Sequence, residues 1–167
     1  MKKMAKLTVA AMLLSLFALV PGAMAQQVTV AKLHEVLASG QPQAFWQVKA
    51  DDLNGWIQQK KTDFVVVDAR PNPTEYAEGH IPGAIQISVQ DILSPANLAK
   101  LPKNKKVVLV CVTGQVQNLP VVILRALGYD AYTMAFGYAA WIPDYRGGQN
   151  MQTAIKNAAD KKFPLVK

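Results

Sequence analysis

Residues 107–116 read VVLVCVTGQV, and this run decides the fold class. Its first four residues are apolar and mostly β-branched, too few for a helix, which predicts a strand buried on both faces of a sheet. A loop containing Gly114 then leads into an apolar helical pattern that stops at Gly128. A buried strand followed at once by a helix is the repeating unit of a parallel α/β sheet. The loop between them begins at Cys111, the only cysteine in the chain.

Similar runs occur on both sides of this one. Three further strands are predicted, over residues 64–67, 84–87 and 131–134, and Ala44-Phe45-Trp46 leads into another short one. Helices are predicted over residues 30–37, 53–60 and 90–100, after Asn118, and through Trp141; an amphipathic segment covers residues 151–159. Strands that alternate with helices predict an α/β fold of right-handed βαβ units, in which helices cover both faces of the sheet.

The first 25 residues have the composition of a secretory signal peptide. Three lysines precede an uncharged apolar run over residues 7–20, and Ala23 and Ala25 supply a small-residue cleavage motif. The run is shorter than the roughly 20 residues that span a bilayer, which favours cleavage before Gln26 over an uncleaved anchor. We therefore expect export to the periplasm, with secretion as the alternative, and no membrane attachment after cleavage.

Charge and composition argue against several function classes. Removing the three signal lysines lowers the formal net charge from +7 to +4. The remaining lysines form short clusters without interleaved aromatic residues, so nucleic-acid binding is not expected. A single cysteine excludes an internal disulfide, and with only His34 and His80 as imidazole ligands neither a metal site nor a cofactor is expected.

Cys111 is predicted to lie at the carboxyl end of a parallel strand, where α/β proteins bind their ligands. If residues 112–116 curl around the sulfur, their backbone N–H groups and the amino end of the following helix would stabilise a thiolate. Gly114 permits the turn that such a loop requires. The alternative is a buried, unreactive cysteine that acts as a small apolar residue.

Two motifs make the chain resemble the rhodanese-like domain family, from roughly Val48 to Trp141. The first joins Asp68-Ala69-Arg70, Glu75-Tyr76 and GHIPGA at residues 79–84; the second is the cysteine loop, with Gly137 and Trp141 resembling the family's closing glycine and tryptophan. The resemblance implies an α/β, three-layer fold with a central, mostly parallel five-stranded sheet flanked by helices. It divides the chain into a signal peptide (1–25), an amino-terminal extension (26–47), a rhodanese-like domain (48–145) and a carboxyl-terminal tail (146–167).

The resemblance also implies a sulfurtransferase, in which the cysteine accepts a sulfane sulfur as a persulfide and passes it to a thiophilic acceptor. Cys111 would be the catalytic nucleophile, and the substrate-binding loop would comprise Val112, Thr113, Gly114, Gln115 and Val116. Asp68 and Arg70 are expected to support the loop by satisfying its amides and by forming an ion pair, with Glu75 as a candidate partner. His80 precedes a turn and is interpreted as a hydrogen-bonded turn residue rather than a general base.

The loop departs from the family at several positions. Sulfurtransferases of this family commonly carry basic residues at the second and sixth loop positions, where this chain has Val112 and Val116. We therefore expect thiosulfate, a dianion, to be a poor donor and a less charged persulfide or polysulfide to be a better one. Phe136 stands where glycine is frequent and is expected to narrow the pocket mouth.

A related branch hydrolyses phosphate esters with an arginine six residues after the cysteine, and Gln117 at that position argues against a phosphatase.

Three function classes remain open from the sequence. They are a sulfurtransferase enzyme, a noncatalytic sulfur-carrier or partner-binding module with the same fold, and a thiol-redox protein. The missing basic loop residues favour the second class, and the absence of a resolving cysteine argues against the third. The expected partners are a small sulfur donor and a thiophilic acceptor, and the sequence leaves a protein partner open.

Overall fold

The computed structural model describes residues 28–167, so the predicted signal peptide lies outside the described residues. Within them, five strands form one sheet: β1 (Gln47–Val48), β2 (Phe64–Asp68), β3 (Ile85–Gln86), β4 (Lys106–Val110) and β5 (Asp130–Met134). The helices of this part of the chain are α1 (Val30–Ala38), α2 (Ala50–Gln58), α3 (Pro73–Glu78), α4 (Pro95–Leu98), α5 (Asn118–Ala126) and α6 (Arg146–Lys161). Two 3₁₀ turns cover Gln41–Trp46 and Gly137–Ala140.

The sheet has the strand order β1-β5-β4-β2-β3, and every neighbouring pair is parallel. The long strands β2, β4 and β5 occupy its centre, with Val66 beside Val108 and Val108 beside Tyr132. Because all the strands run the same way, the carboxyl ends of β2, β4 and β5 meet at one edge. The predicted α/β class and five-stranded parallel sheet are confirmed.

The sheet is buried on both faces, which explains the continuous apolar runs of its central strands. Val66 and Val108 pack on one face with Leu53 of α2. Val67 and Leu109 point to the other face, where they pack with residues of α5 such as Leu124. The alternation follows from the two-residue period of a strand.

The predicted amino-terminal extension contributes to the core. Thr29 caps α1 by accepting a hydrogen bond from the backbone N–H of Lys32. Helix α1 packs on α5 and buries Val36, and Trp46 is almost completely buried just before β1 pairs with β5. Among the described residues, no helix combines the length and apolar character needed to cross a bilayer.

Two helix predictions are wrong. The helix expected over residues 90–100 is only the four-residue α4, because Pro95 lacks an N–H and is accommodated at the first turn of a helix rather than inside one. Ile92 and Leu101, on either side of α4, are nevertheless buried in the core. The helix expected through Trp141 is the short 3₁₀ turn Gly137–Ala140.

Candidate functional site

Cys111 directly follows β4, the central strand, at the edge where the strands end. The residue is 1% exposed, and its thiol is free. The loop over residues 112–116 continues from it into α5, which begins at Asn118. Asn118 ties this loop to the helix, since its Nδ2 donates to the carbonyl oxygen of Gly114 over 2.6 Å. The predicted loop and helix therefore lie where the sequence indicated.

A second segment, residues 136–139, packs against the cysteine loop through its backbone. Tyr138 N–H donates to the carbonyl oxygen of Cys111 over 2.8 Å, and Ala139 N–H donates to that of Val112 over 3.0 Å. Gly137, at φ 56°, lies so close that a Cβ there would overlap the Cys111 carbonyl. Gly114, at φ 82°, would place a Cβ 2.8 Å from the backbone nitrogen of Phe136. Both positions therefore require glycine.

The amide of Cys111 is bound by a buried side chain, Gln117. Its Oε1 accepts from Cys111 N–H over 2.6 Å, while its Nε2 donates to the carbonyl oxygen of Met134 over 2.6 Å. The β4–β5 register ends at Leu109 beside Thr133, and its continuation would bring Cys111 next to the end of β5. The Gln117 carboxamide therefore occupies the place of a ladder hydrogen bond and joins the ends of the two strands. From the sequence, Gln117 is notable only for standing where phosphatases of the related branch have an arginine.

The sulfur itself is enclosed. Within residues 28–167 no N–H group donates a hydrogen bond to Sγ of Cys111, and the amide of Cys111 is directed to Gln117. Val112, Thr113 and Gly114 are half-buried, whereas Gln115 and Val116 are exposed. The ring of loop amides around a thiolate remains a prediction.

Asp68 and Arg70 form a buried ion pair at the end of β2. Arg70 Nη2 lies 2.6 Å from Asp68 Oδ2, and both side chains are at most 2% exposed. The guanidinium also donates to the carbonyl oxygen of Gly79 over 2.7 Å. Burial alone would lower the pKa of Arg70, but its hydrogen bonds to Asp68 raise the pKa overall, so the guanidinium stays charged. These interactions satisfy a buried charge that would otherwise be strongly destabilising.

Tyr138 connects this ion pair to the cysteine loop. Its hydroxyl donates to Asp68 Oδ2 over 2.8 Å and accepts from Ile81 N–H over 3.1 Å, and the Arg70 guanidinium lies 3.8 Å from the ring centre. Burial raises the pKa of Tyr138, which keeps the hydroxyl protonated as a donor. Asp68 and Arg70 thus reach the loop through Tyr138, whose N–H binds Cys111. This role of Tyr138 was not predicted from the sequence, although the residue stands between Gly137 and Trp141 of the closing motif.

Glu75, a candidate partner of Arg70 from the sequence, pairs with Arg146 instead. Its Oε1 accepts from Arg146 over 2.6 Å, and its Oε2 accepts from the Tyr145 hydroxyl over 3.3 Å. The hydrogen bond to Glu75 raises the pKa of Arg146. Asp68 is the partner of Arg70 because it is only two residues away on the chain and equally buried, while Glu75 holds the start of α6.

Helix α6 begins against the cysteine loop. Gly147 is buried there, and a Cβ at this position would lie 2.9 Å from Val112 Cγ1 and from Thr113 Cγ2. Met151, one turn further, lines a cleft of about 240 Å³ together with Thr113, Gly114 and Gln115. The predicted tail therefore contributes to the surroundings of the loop.

His80 lies on the surface near the first motif. Its Nδ1 is 2.9 Å from the carbonyl oxygen of Tyr76, and its ring stacks on the Tyr76 ring with 3.8 Å between centroids. These contacts agree with a turn residue. In the described part of the chain, no cluster of three or more His, Cys, Asp or Glu side chains is arranged to hold a metal ion.

Comparison with known proteins matches residues 49–144 to the family model of the rhodanese-like domain. The chain belongs to the rhodanese-like domain family. A solved rhodanese-like domain protein from Staphylococcus aureus is 32% identical with a TM-score of 0.52, covering 59% of this chain and 92% of that one. A rhodanese-related protein from Thermoplasma volcanium is 25% identical with a TM-score of 0.50, covering 57% of this chain and 88% of that one.

Two curated relatives of this rhodanese-like chain are named as sulfurtransferases. The tRNA sulfurtransferase of Desulfurococcus amylolyticus is 36% identical over 86 residues, 52% of this chain but only 16% of that protein. The thiosulfate sulfurtransferase GlpE of Pseudoalteromonas translucida is 33% identical over 90 residues, 51% of this chain and 79% of that protein. The match therefore spans a small part of the first relative and most of the second.

Proposed function

We propose that this protein is a sulfurtransferase that accepts a sulfane sulfur on Cys111 as a persulfide and passes it to a thiophilic acceptor. One observation carries the proposal. Cys111 stands at the carboxyl end of the central strand, at the head of a loop that enters α5, in a family whose relatives include named sulfurtransferases. This is the position at which parallel α/β sheets place their reacting groups.

The reaction proceeds in two displacements. The Cys111 thiolate attacks the outer sulfur of the donor, the donor's S–S bond breaks, and its electron pair leaves with the departing group. A nucleophilic acceptor then attacks the outer sulfur of the Cys111 persulfide and releases the thiolate. Loop N–H groups over residues 112–116 would stabilise the anionic persulfide, as preorganised donors do in other covalent mechanisms.

The surrounding contacts support a fixed nucleophile. The N–H and C=O groups of Cys111 are bound by Gln117 and Tyr138, respectively. Both groups are therefore satisfied without the sulfur, so the backbone around Cys111 is held independently of the thiol. A rigidly held nucleophile places its reacting atom with little entropic cost at the moment of reaction.

The decisive experiment measures thiocyanate formation from cyanide with several sulfane-sulfur donors. The parent protein is expected to turn over at least one donor, and Cys111→Ala to turn over none. Mass spectrometry after donor addition without acceptor should find one extra sulfur atom on the parent and none on the variant. Equal turnover by parent and variant, or no cysteine-bound sulfur with any donor, contradicts an enzymatic role.

A noncatalytic sulfur carrier is the second candidate. The valines at the two loop positions that are commonly basic favour it. Cysteine-bound sulfur that forms stoichiometrically but is not released to cyanide or to thiols would identify the carrier.

A further inference from the structure

We propose that the rim of the cysteine loop selects sulfane-sulfur donors that carry an apolar group and no more than one negative charge. The inference rests on the sulfurtransferase function proposed above and names its substrate class. The rim is defined as Val116, Leu119 and Phe136, three large apolar side chains that are 40%, 71% and 61% exposed.

The three rim residues lie on or next to the cysteine loop. Val116 belongs to the loop, and Leu119 N–H donates to its carbonyl oxygen over 3.1 Å, which places Leu119 one turn further on. The backbone of Phe136 lies against Gly114, where an added Cβ would come within 2.9 Å of the Phe136 Cα. Exposed apolar side chains from the loop, from α5 and from the turn after β5 therefore lie beside the cysteine loop, and Phe136 lines the same cleft as Thr113 and Gly114.

Phe136 carries the strongest argument. Its φ of 63° lies in the left-handed region, which is unfavourable for a bulky residue, and its ring is mostly exposed. The fold thus holds an aromatic residue with a strained backbone whose exposed ring gains little stability from burial. Such outliers concentrate at ligand sites, and an exposed aromatic ring offers a large apolar contact for a substrate.

The local charges point the same way. No residue from Cys111 to Leu124 is charged, and none is charged from Ala131 to Pro143. The three arginines of the chain are all paired, Arg70 with Asp68, Arg125 with Asp130 and Arg146 with Glu75. An incoming dianion would therefore lose its hydration without gaining contact with an unpaired arginine. A monoanion with an apolar group would lose less hydration free energy and would contact the rim.

Arylthiosulfonates fit this chemistry and keep the reaction balanced. The Cys111 thiolate attacks the terminal sulfur of R–SO₂–S⁻, the S–S bond breaks, and the electron pair leaves on the sulfinate R–SO₂⁻. Cyanide then attacks the outer sulfur of the persulfide, giving thiocyanate and the regenerated thiolate.

Comparing three sulfur donors separates the effect of donor charge from the effect of apolar contact with the rim. Thiosulfate is a dianion, methanethiosulfonate is a small monoanion, and benzenethiosulfonate is a monoanion with an aromatic group. For the parent protein, kcat/KM is expected to rise in that order. In Phe136→Asn, which tolerates the same φ, the ratio of benzenethiosulfonate to methanethiosulfonate should fall by about five- to tenfold, the loss expected for one aromatic contact.

Phe45→Asn is the matched control. Phe45 is also an exposed phenylalanine at positive φ, 54% exposed at 50°, but it does not line the cleft that Phe136 shares with the cysteine loop. Its substitution should leave the ratio of the two thiosulfonates unchanged. Leu119→Asn provides a second rim variant if Phe136→Asn folds poorly, and it should lower the same ratio.

The outcomes distinguish the two proposals. Turnover that favours thiosulfate, or a thiosulfonate ratio that neither rim variant changes, overturns the inference and leaves the sulfurtransferase function intact. Failure of all three donors to place sulfur on Cys111, measured by mass spectrometry, overturns the proposed function and the donor class with it.

Discussion

At the residue scale, one hydroxyl joins the two motifs of the family. The Tyr138 side chain binds Asp68 and Ile81, while its backbone N–H binds Cys111. Tyr138→Phe would leave the buried N–H of Ile81 unpaired and remove one donor from Asp68, lowering the free energy of unfolding by about 1–3 kcal/mol. Urea denaturation measures this. Tyr132→Phe is the control, because the Tyr132 hydroxyl makes no hydrogen bond within residues 28–167, and its loss should be below about 0.5 kcal/mol.

Gly137 sets the distance between the closing turn and the cysteine loop. Gly137→Ala adds left-handed strain of about 1–2 kcal/mol and an overlap with the Cys111 carbonyl. Gly128→Ala is the matched control, because Gly128 also has positive φ, but its nearest atom to an added Cβ is 3.9 Å away. Urea denaturation should find the larger loss for Gly137→Ala, and equal losses would show that close approach is unimportant there.

At the element scale, Gln117 joins β4 to β5 at the edge that holds the site. Gln117→Ala would leave Cys111 N–H and Met134 C=O unpaired and lower the free energy of unfolding by about 2–4 kcal/mol. Gln115→Ala, which changes an exposed glutamine of the same loop, should alter it by less than about 0.5 kcal/mol. A Gln117→Ala loss no larger than this control would mean that water replaces the carboxamide.

Gln117→Glu adds a pH test of the same contact. Only a protonated carboxyl can donate to Met134, and burial also disfavours the carboxylate. The pKa of the glutamate introduced at position 117 should thus be raised in the folded state above the roughly 4.3 of an unfolded chain. The stability contributed by the protonated glutamate is then fully present below about pH 4.3, the unfolded-state pKa, and is lost as the pH rises through the higher folded-state pKa. Urea midpoints that fall from acid to neutral pH, relative to the parent, are expected; parallel profiles would contradict the hydrogen bond to Met134.

Comparing the predicted and observed elements shows which structural features could be predicted from the sequence. The central strands were predicted to within a residue or two because their apolar runs have a strong local pattern. The helix over residues 90–100 was wrong because Ser94-Pro95, a typical helix start, was placed in its interior. The partner of Glu75 and the bridge made by Gln117 were not found, since long-range contacts between polar side chains have no periodic signal in one sequence.

At the scale of the whole molecule, the buried core extends beyond the family match. The match covers residues 49–144, yet Val36 and Trp46 are less than 10% exposed, and Val28 and Leu33 pack against the same core cluster. At the other end, Gly147 is buried against the cysteine loop, whereas all residues from Gln152 onward are exposed. The cooperative unit should therefore run from α1 to the first turns of α6.

Two deletions of similar length test this boundary. Removing residues 26–39 uncovers the part of α5 that α1 packs against, and loss of the buried Val36 and half-buried Leu33 should cost about 3–5 kcal/mol of unfolding free energy. Removing residues 152–167 deletes only exposed side chains and should change stability by less than about 1 kcal/mol. Urea denaturation of both variants makes the comparison. If the carboxyl-terminal deletion were the more destabilising one, the outer part of α6 would have to pack on the domain, and the boundary drawn at Met151 would be wrong.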